Sequence, residues 1–105
     1  MATAELNIEL LYFDGCPSYR EAWNQILEVL VAEQLEATVR VVPVQTPEQA
    51  AELRFPGSPT IRINGTDLEP VEETGAMACR VYRENDGKGW PSTALLKRRI
   101  REAVA

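Results

Sequence analysis

Apolar side chains first gather in Leu6-Asn7-Ile8-Glu9-Leu10-Leu11-Tyr12-Phe13, a short run that reads as a buried β-strand. From Pro17 to Leu35 the spacing changes. Tyr19, Ala22, Trp23, Ile26, Leu27, Leu30 and Val31 recur at three- and four-residue intervals, which is one face of an α-helix. Val29 and Ala32 widen that face, so the helix is expected to lie on a sheet. Thr38–Val44 is short and rich in β-branched residues, hence a second strand, and Pro43 points to an edge position or the strand's end. A helix between the two strands implies parallel pairing through a right-handed crossover.

Beyond Val44 the signals are local. Thr46-Pro47-Glu48-Gln49 is a capping box with proline at the first helical position, opening a short helix to about Leu53 or Arg54. Phe55-Pro56-Gly57-Ser58-Pro59 is a loop, and Thr60-Ile61-Arg62-Ile63 alternates as a strand. Asn64-Gly65 is a strong hairpin signal, with Thr66–Glu69 as the returning antiparallel strand, stopped by Pro70. From 70 to 91 the periodicity is poor, apart from a short extended segment at Cys79–Arg83 and a turn cluster at Glu84–Gly89. Pro91-Ser92 opens a last helix through about Val104, carrying Leu95, Leu96, Ile100 and Val104. The order β-α-β-α-β-β-α predicts a single α/β domain over 1–105, with a mixed four-stranded sheet, helices on both faces and an irregular segment at about 70–91.

Composition narrows the chemistry. A chain of 105 residues suits one ordinary hydrophobic core, and its net charge of −5 argues against nucleic-acid or anionic-membrane partners. Met1–Glu5 has no basic or long apolar character, so neither a signal peptide nor a membrane span is expected. Two cysteines without an export signal suggest a reducing, cytoplasmic setting and thiol or metal chemistry. Histidine is absent, which removes Cys–His nucleophilic catalysis and zinc sites that need imidazole. The basic run Lys97-Arg98-Arg99 with Arg101 complements the dipole of a terminal helix and needs no nucleic acid to account for it.

Cys16 follows Asp14-Gly15 and precedes Pro17, where a strand hands over to a helix. A helix N-terminus favours thiolate over thiol, and Pro17 suits the first helical position. The alternative is a small residue filling a turn. Asp14 stands beside the sulfur but is also ordinary turn chemistry, and as a carboxylate it would raise the thiol's pKa.

Two motifs carry a family resemblance. The Cys16-Pro17 junction resembles the redox-active turn of thioredoxins and glutaredoxins. Gly57-Ser58-Pro59-Thr60-Ile61, followed by Asn64-Gly65, looks like the loop in which those folds carry a cis-proline beside the active-site sulfur. More narrowly, Leu10–Pro17, Gly57–Thr60 and Cys79-Arg80-Val81-Tyr82 resemble the small bacterial DF thioredoxin-like (seleno)proteins, some of which are described as alkylmercury-lyase-like. In some of those proteins selenocysteine occupies the position matching Cys16.

The resemblance implies a thioredoxin-like fold and a redox nucleophile at Cys16. It also implies a cis peptide before Pro59, a substrate surface of Pro17, Ser58, Pro59 and Thr60, and neighbouring roles for Asp14 and Tyr19. Tyr19 stands where a dithiol thioredoxin has its second cysteine, so the usual disulfide within the first helical turn cannot form.

Cys79 is either structural or a resolving thiol for Cys16, and a bridge requires their Cα atoms within about 7 Å. Three functions stay open. The first is a thiol-dependent oxidoreductase acting on a disulfide, a peroxide or another sulfur electrophile. The second is handling of soft metals or organomercurials by the two thiolates, with Asp14 or Asp67 as proton donor. The third is a non-catalytic binding module. None calls for a cofactor. The expected partner is a thiol or disulfide substrate or a partner protein, and oligomeric state is left open.

Overall fold

The apolar run becomes β1 (Asn7–Tyr12) in the computed structural model, which describes residues 5–105 other than Glu73 and Ala76. Next come α1 (Tyr19–Ala32), β2 (Thr38–Pro43), α2 (Pro47–Glu52), β3 (Thr60–Ile63), β4 (Thr66–Asp67) and α3 (Thr93–Val104). A 3-10 turn at Arg83–Asn85 precedes α3. The strands form one mixed sheet in the order β2-β1-β3-β4. β1 pairs parallel with β2, placing Leu10 opposite Val41, and antiparallel with β3, placing Leu10 opposite Ile61.

The pleat of β1 divides the core. Ile8 and Leu10 join Ala22, Ile26, Val29, Leu30, Ile61, Leu95, Leu96 and Ile100 on the face covered by α1 and α3. Leu11 points the other way and packs with Val44, Ala50 and Phe55 beneath α2. Helices therefore cover both faces, as the pattern predicts. The capping box on α2 is complete, with Thr46 Oγ1 accepting from the Gln49 N–H at 3.1 Å while Gln49 Oε1 accepts from the Thr46 N–H at 3.3 Å. Ser92 caps α3 in the same sense, its hydroxyl accepting from the Leu95 N–H. At the far ends of these helices, Arg101 on α3 pairs with Glu33 at the end of α1. No helix among the described residues is long and apolar enough to cross a membrane.

The structure corrects three local expectations. Pro17 is not the first residue of α1: Pro17 and Ser18 make a preceding turn, whose carbonyls accept from the Arg20 and Glu21 N–H groups at 3.2 Å each. α1 stops at Ala32 because Gln34 adopts φ +54°, so that the Gln34 and Leu35 N–H groups return to the Val31 and Leu30 carbonyls. The buried stripe of α1 is Ala22, Ile26, Val29 and Leu30, leaving Leu27 and Val31 in solvent at 41% and 78% exposure. A helix apolar on most of its circumference has several candidate faces. Its seat on the sheet chooses the one containing Val29.

That choice is measurable. Ile26→Ala is expected to cost about 2–5 kcal/mol of unfolding free energy and Val31→Ala less than about 0.5. Denaturant unfolding of the two variants checks this, and a larger loss for Val31→Ala would contradict the orientation of α1.

Candidate functional site

β1 ends by delivering Phe13-Asp14-Gly15-Cys16 as a tight turn, closed by the Cys16 N–H donating to the Phe13 carbonyl at 3.0 Å. The turn directs Cys16 inward, where it is 3% exposed. Asp14 stays at the solvent surface. Tyr19, on the first turn of α1, stacks on Tyr12 with ring centroids 4.3 Å apart and so braces the exit of β1 against the start of the helix.

The opposite wall is the loop entering β3. The Ser58–Pro59 peptide is cis. Ser58, Pro59 and Thr60 are all buried. Every polar group of Ser58 meets this chain: its Oγ accepts from the Phe13 N–H at 3.0 Å, its N–H donates to the Ala78 carbonyl at 2.7 Å, and its carbonyl accepts from the Arg80 N–H at 3.0 Å. The last two bonds are a parallel ladder step between Ser58 and Cys79. Gly57 permits this approach. It holds φ +123°, and a Cβ there would lie 2.8 Å from Arg80 Cβ and 3.1 Å from the Ala78 carbonyl oxygen.

The ladder step carries Cys79 onto Cys16. The two are joined by a disulfide with Cα atoms 5.7 Å apart, across a sequence separation of 63. Cys16 Sγ lies 3.6 Å from the Ser58 carbonyl oxygen, an acceptor for the S–H once the bridge is reduced. The two bridged residues differ in setting, since Cys16 is buried and Cys79 is exposed.

Polar anchors hold the Cys79 segment to the sheet. The Arg80 guanidinium, 4% exposed, donates to Asp67 Oδ2 at 3.0 Å, Thr60 Oγ1 at 3.1 Å and the Glu69 carbonyl at 2.7 Å, and lies 4.3 Å over the Tyr82 ring. Thr60 in turn donates its hydroxyl to the Gly57 carbonyl at 2.7 Å. The Tyr82 hydroxyl donates to the Pro59 carbonyl at 2.7 Å, and burial pushes this phenol well above its ordinary pKa, so it stays a neutral donor near pH 7. The Glu69 carboxylate accepts from the Arg83 and Glu84 N–H groups at 3.1 and 3.0 Å. The segment after Cys79 is thus fastened by contacts that do not involve sulfur.

Of the residues singled out from the sequence, Cys16, Cys79, Ser58, Pro59 and Thr60 converge. Pro17 is exposed at the turn after Cys16, and Asp14 makes no side-chain hydrogen bond among the described residues. Sequence reasoning missed Arg80 and Tyr82 as anchors. The available signal was the alternation Cys79-Arg80-Val81-Tyr82, in which burial runs exposed, buried, exposed, buried. The Thr66–Glu69 strand is only two residues long as a ladder, because Asp67 and Glu69 turn their polar groups to Arg80 and to the 3-10 turn.

The sequence matches no protein-family model and no curated protein. Among solved structures it is similar to a selenoprotein W-related protein from Vibrio cholerae, with a TM-score of 0.56 and 20% identity over 96% of this chain and 99% of that one. The mixed four-stranded sheet with its covering helices is a thioredoxin-like fold.

Arg80→Met tests the anchoring. Removing one partner of a buried ion pair is expected to cost about 3–5 kcal/mol of stability. It should also slacken the hold on Cys79, so that dithiothreitol reduces the Cys16–Cys79 bridge at a lower concentration than in the wild-type chain. Urea unfolding and a dithiothreitol titration read the two effects, and an unchanged midpoint of reduction would contradict the positioning role.

Proposed function

We propose that this chain is a thiol–disulfide redox protein in which Cys16 and Cys79 form one two-electron couple. The observation that carries the reading is the placement of Cys79. A ladder step to Ser58 and the Arg80 anchors seat it within disulfide reach of Cys16 by contacts independent of the bridge. A thiol held in this way meets its partner at high effective concentration, which is what a reversible couple needs. Thiol–disulfide exchange also fits the absence of histidine, since the thiolate is itself the nucleophile.

The substrate class is a disulfide or another sulfur electrophile. Ser58, Pro59 and Thr60 serve as the wall that aligns the two sulfurs, with Pro17 at the open rim. The selenoprotein W-related name of the structural neighbour is consistent with a redox reading. Organomercurial cleavage would start from the same two sulfurs but needs a free proton donor. Of the two candidate donors, Asp67 is engaged by Arg80 and by the Glu69 N–H, while Asp14 is exposed beside Cys16. The couple is the better-supported reading because it rests on the seating of Cys79, which organomercurial cleavage does not require.

Titrating the protein against mixtures of reduced and oxidised glutathione, with mass-tagging of free thiols, tests the proposal. One step that protects both thiols together is expected, and it should vanish in Cys16→Ser and in Cys79→Ser. Because the bridge closes a loop with a separation of 63 residues, the oxidised form should be the more stable by up to about 4 kcal/mol. Two thiols that titrate independently, or never pair, would sink the reading.

A further inference from the structure

Resting on that couple, we infer that Cys79, and not Cys16, is the sulfur that exchanges with the outside. Exchange at a disulfide is a displacement: the entering thiolate approaches along the S–S axis, from the side opposite the leaving sulfur. Cys16 is 3% exposed, lying behind the turn from β1 and facing the Ser58 carbonyl, so a line of attack on its sulfur passes through protein. Cys79 is exposed. It lies on an extended segment whose alternation buries Arg80 and Tyr82 and leaves the residues Cys79 and Val81 exposed, Val81 at 58%. Within the ladder, the Ala78 carbonyl and the Arg80 N–H turn toward Ser58. The amide and carbonyl of Cys79 therefore lie on the outer edge.

This assignment reverses the order of events implied by the resemblance of the Cys16-Pro17 junction. In the reducing direction an external thiolate attacks Cys79 Sγ, the new mixed disulfide forms on Cys79, and the S–S electron pair leaves with Cys16. The Cys16 thiolate then takes up a proton from the medium, and its S–H donates a hydrogen bond to the Ser58 carbonyl oxygen 3.6 Å away. A second external thiolate attacks the mixed disulfide at its outer sulfur and releases Cys79 as thiolate and the external disulfide. In the oxidising direction the Cys79 thiolate attacks an external disulfide and expels one external thiol. Cys16, as thiolate, then displaces the second thiol by attack on Cys79 Sγ. Both directions exchange two electrons and leave the protein as a dithiol or a disulfide. Cys16 is the leaving sulfur in the first direction and the resolving sulfur in the second, and its burial keeps it from a second molecule.

Glutathione is the probe. The oxidised full-length chain is mixed with reduced glutathione, quenched with acid at early times and mapped by mass. The expected adduct sits on Cys79. In parallel, Cys16→Ser and Cys79→Ser, each with a single thiol, are challenged with oxidised glutathione. Cys79 in the first variant is expected to react on the order of tenfold faster or more than Cys16 in the second. An early adduct on Cys16, or equal rates in the two variants, overturns this assignment while leaving the couple intact. If the two cysteines form no couple and the wild-type chain gives no adduct, the couple and this assignment fall together.

Discussion

The site depends on the burial of one charge. A guanidinium removed from water is stable only if its N–H groups find acceptors and its charge finds a counterion. Arg80 has its counterion in Asp67, acceptors for both terminal nitrogens in Thr60, Asp67 and the Glu69 carbonyl, and the Tyr82 ring across its face, leaving only its buried Nε without a partner. Moving the Cys79–Tyr82 segment by one residue would bury Val81 in that polar nest and put the charge in the open. The register of an otherwise irregular stretch is thereby fixed, and Cys79 takes the position left to it, one residue before the anchored arginine.

Drawing the second thiol from a distant segment changes what the bridge reports. A pair three residues apart on a helix needs only one turn of helix to be in place. The Cys16–Cys79 pair needs β1, β3, the loop before Pro59 and the anchored return segment all to be in place. Bridge and fold are then linked thermodynamically: whatever favours the folded arrangement favours the disulfide, and the disulfide favours the fold through the entropy it removes from the open chain.

Much of this fold was legible from the sequence, because its elements announce themselves over short windows. The Thr46–Gln49 box, the Asn64-Gly65 reversal, the Ser92 cap and the apolar run of β1 are all decided by neighbours in the chain. The seat of α1 was not legible, since Leu27 and Val31 are as apolar as Val29 and only the sheet beneath distinguishes them. The stretch from 70 to 91 was opaque for another reason. It is held by side chains that bond backbone groups far along the chain: Arg80 to Glu69, Glu69 to Arg83 and Glu84, and Glu84 to Ser92. Such a tether leaves no hydrophobic period. In a string of letters, a buried arginine and a solvated one look alike.

The contrast between the two cysteines follows from the same accounting of polar groups. Ser58 precedes the cis-proline at the strand end beside Cys16, where its backbone would be open to pairing were the Cys79 segment absent. Its amide, carbonyl and hydroxyl oxygen are already used by Ala78, Arg80 and Phe13. A bound segment there would have to displace a ladder step whose other end is tied down by a buried salt bridge. In the oxidised state the chain thus covers its own strand end. A partner arriving from solvent meets the segment lying over it, an exposed run of Ala78, Cys79 and Val81 interrupted by the inward Arg80. The same contacts that bring the two thiols together hide one of them and present the other, so pairing and access are set by a single docking event.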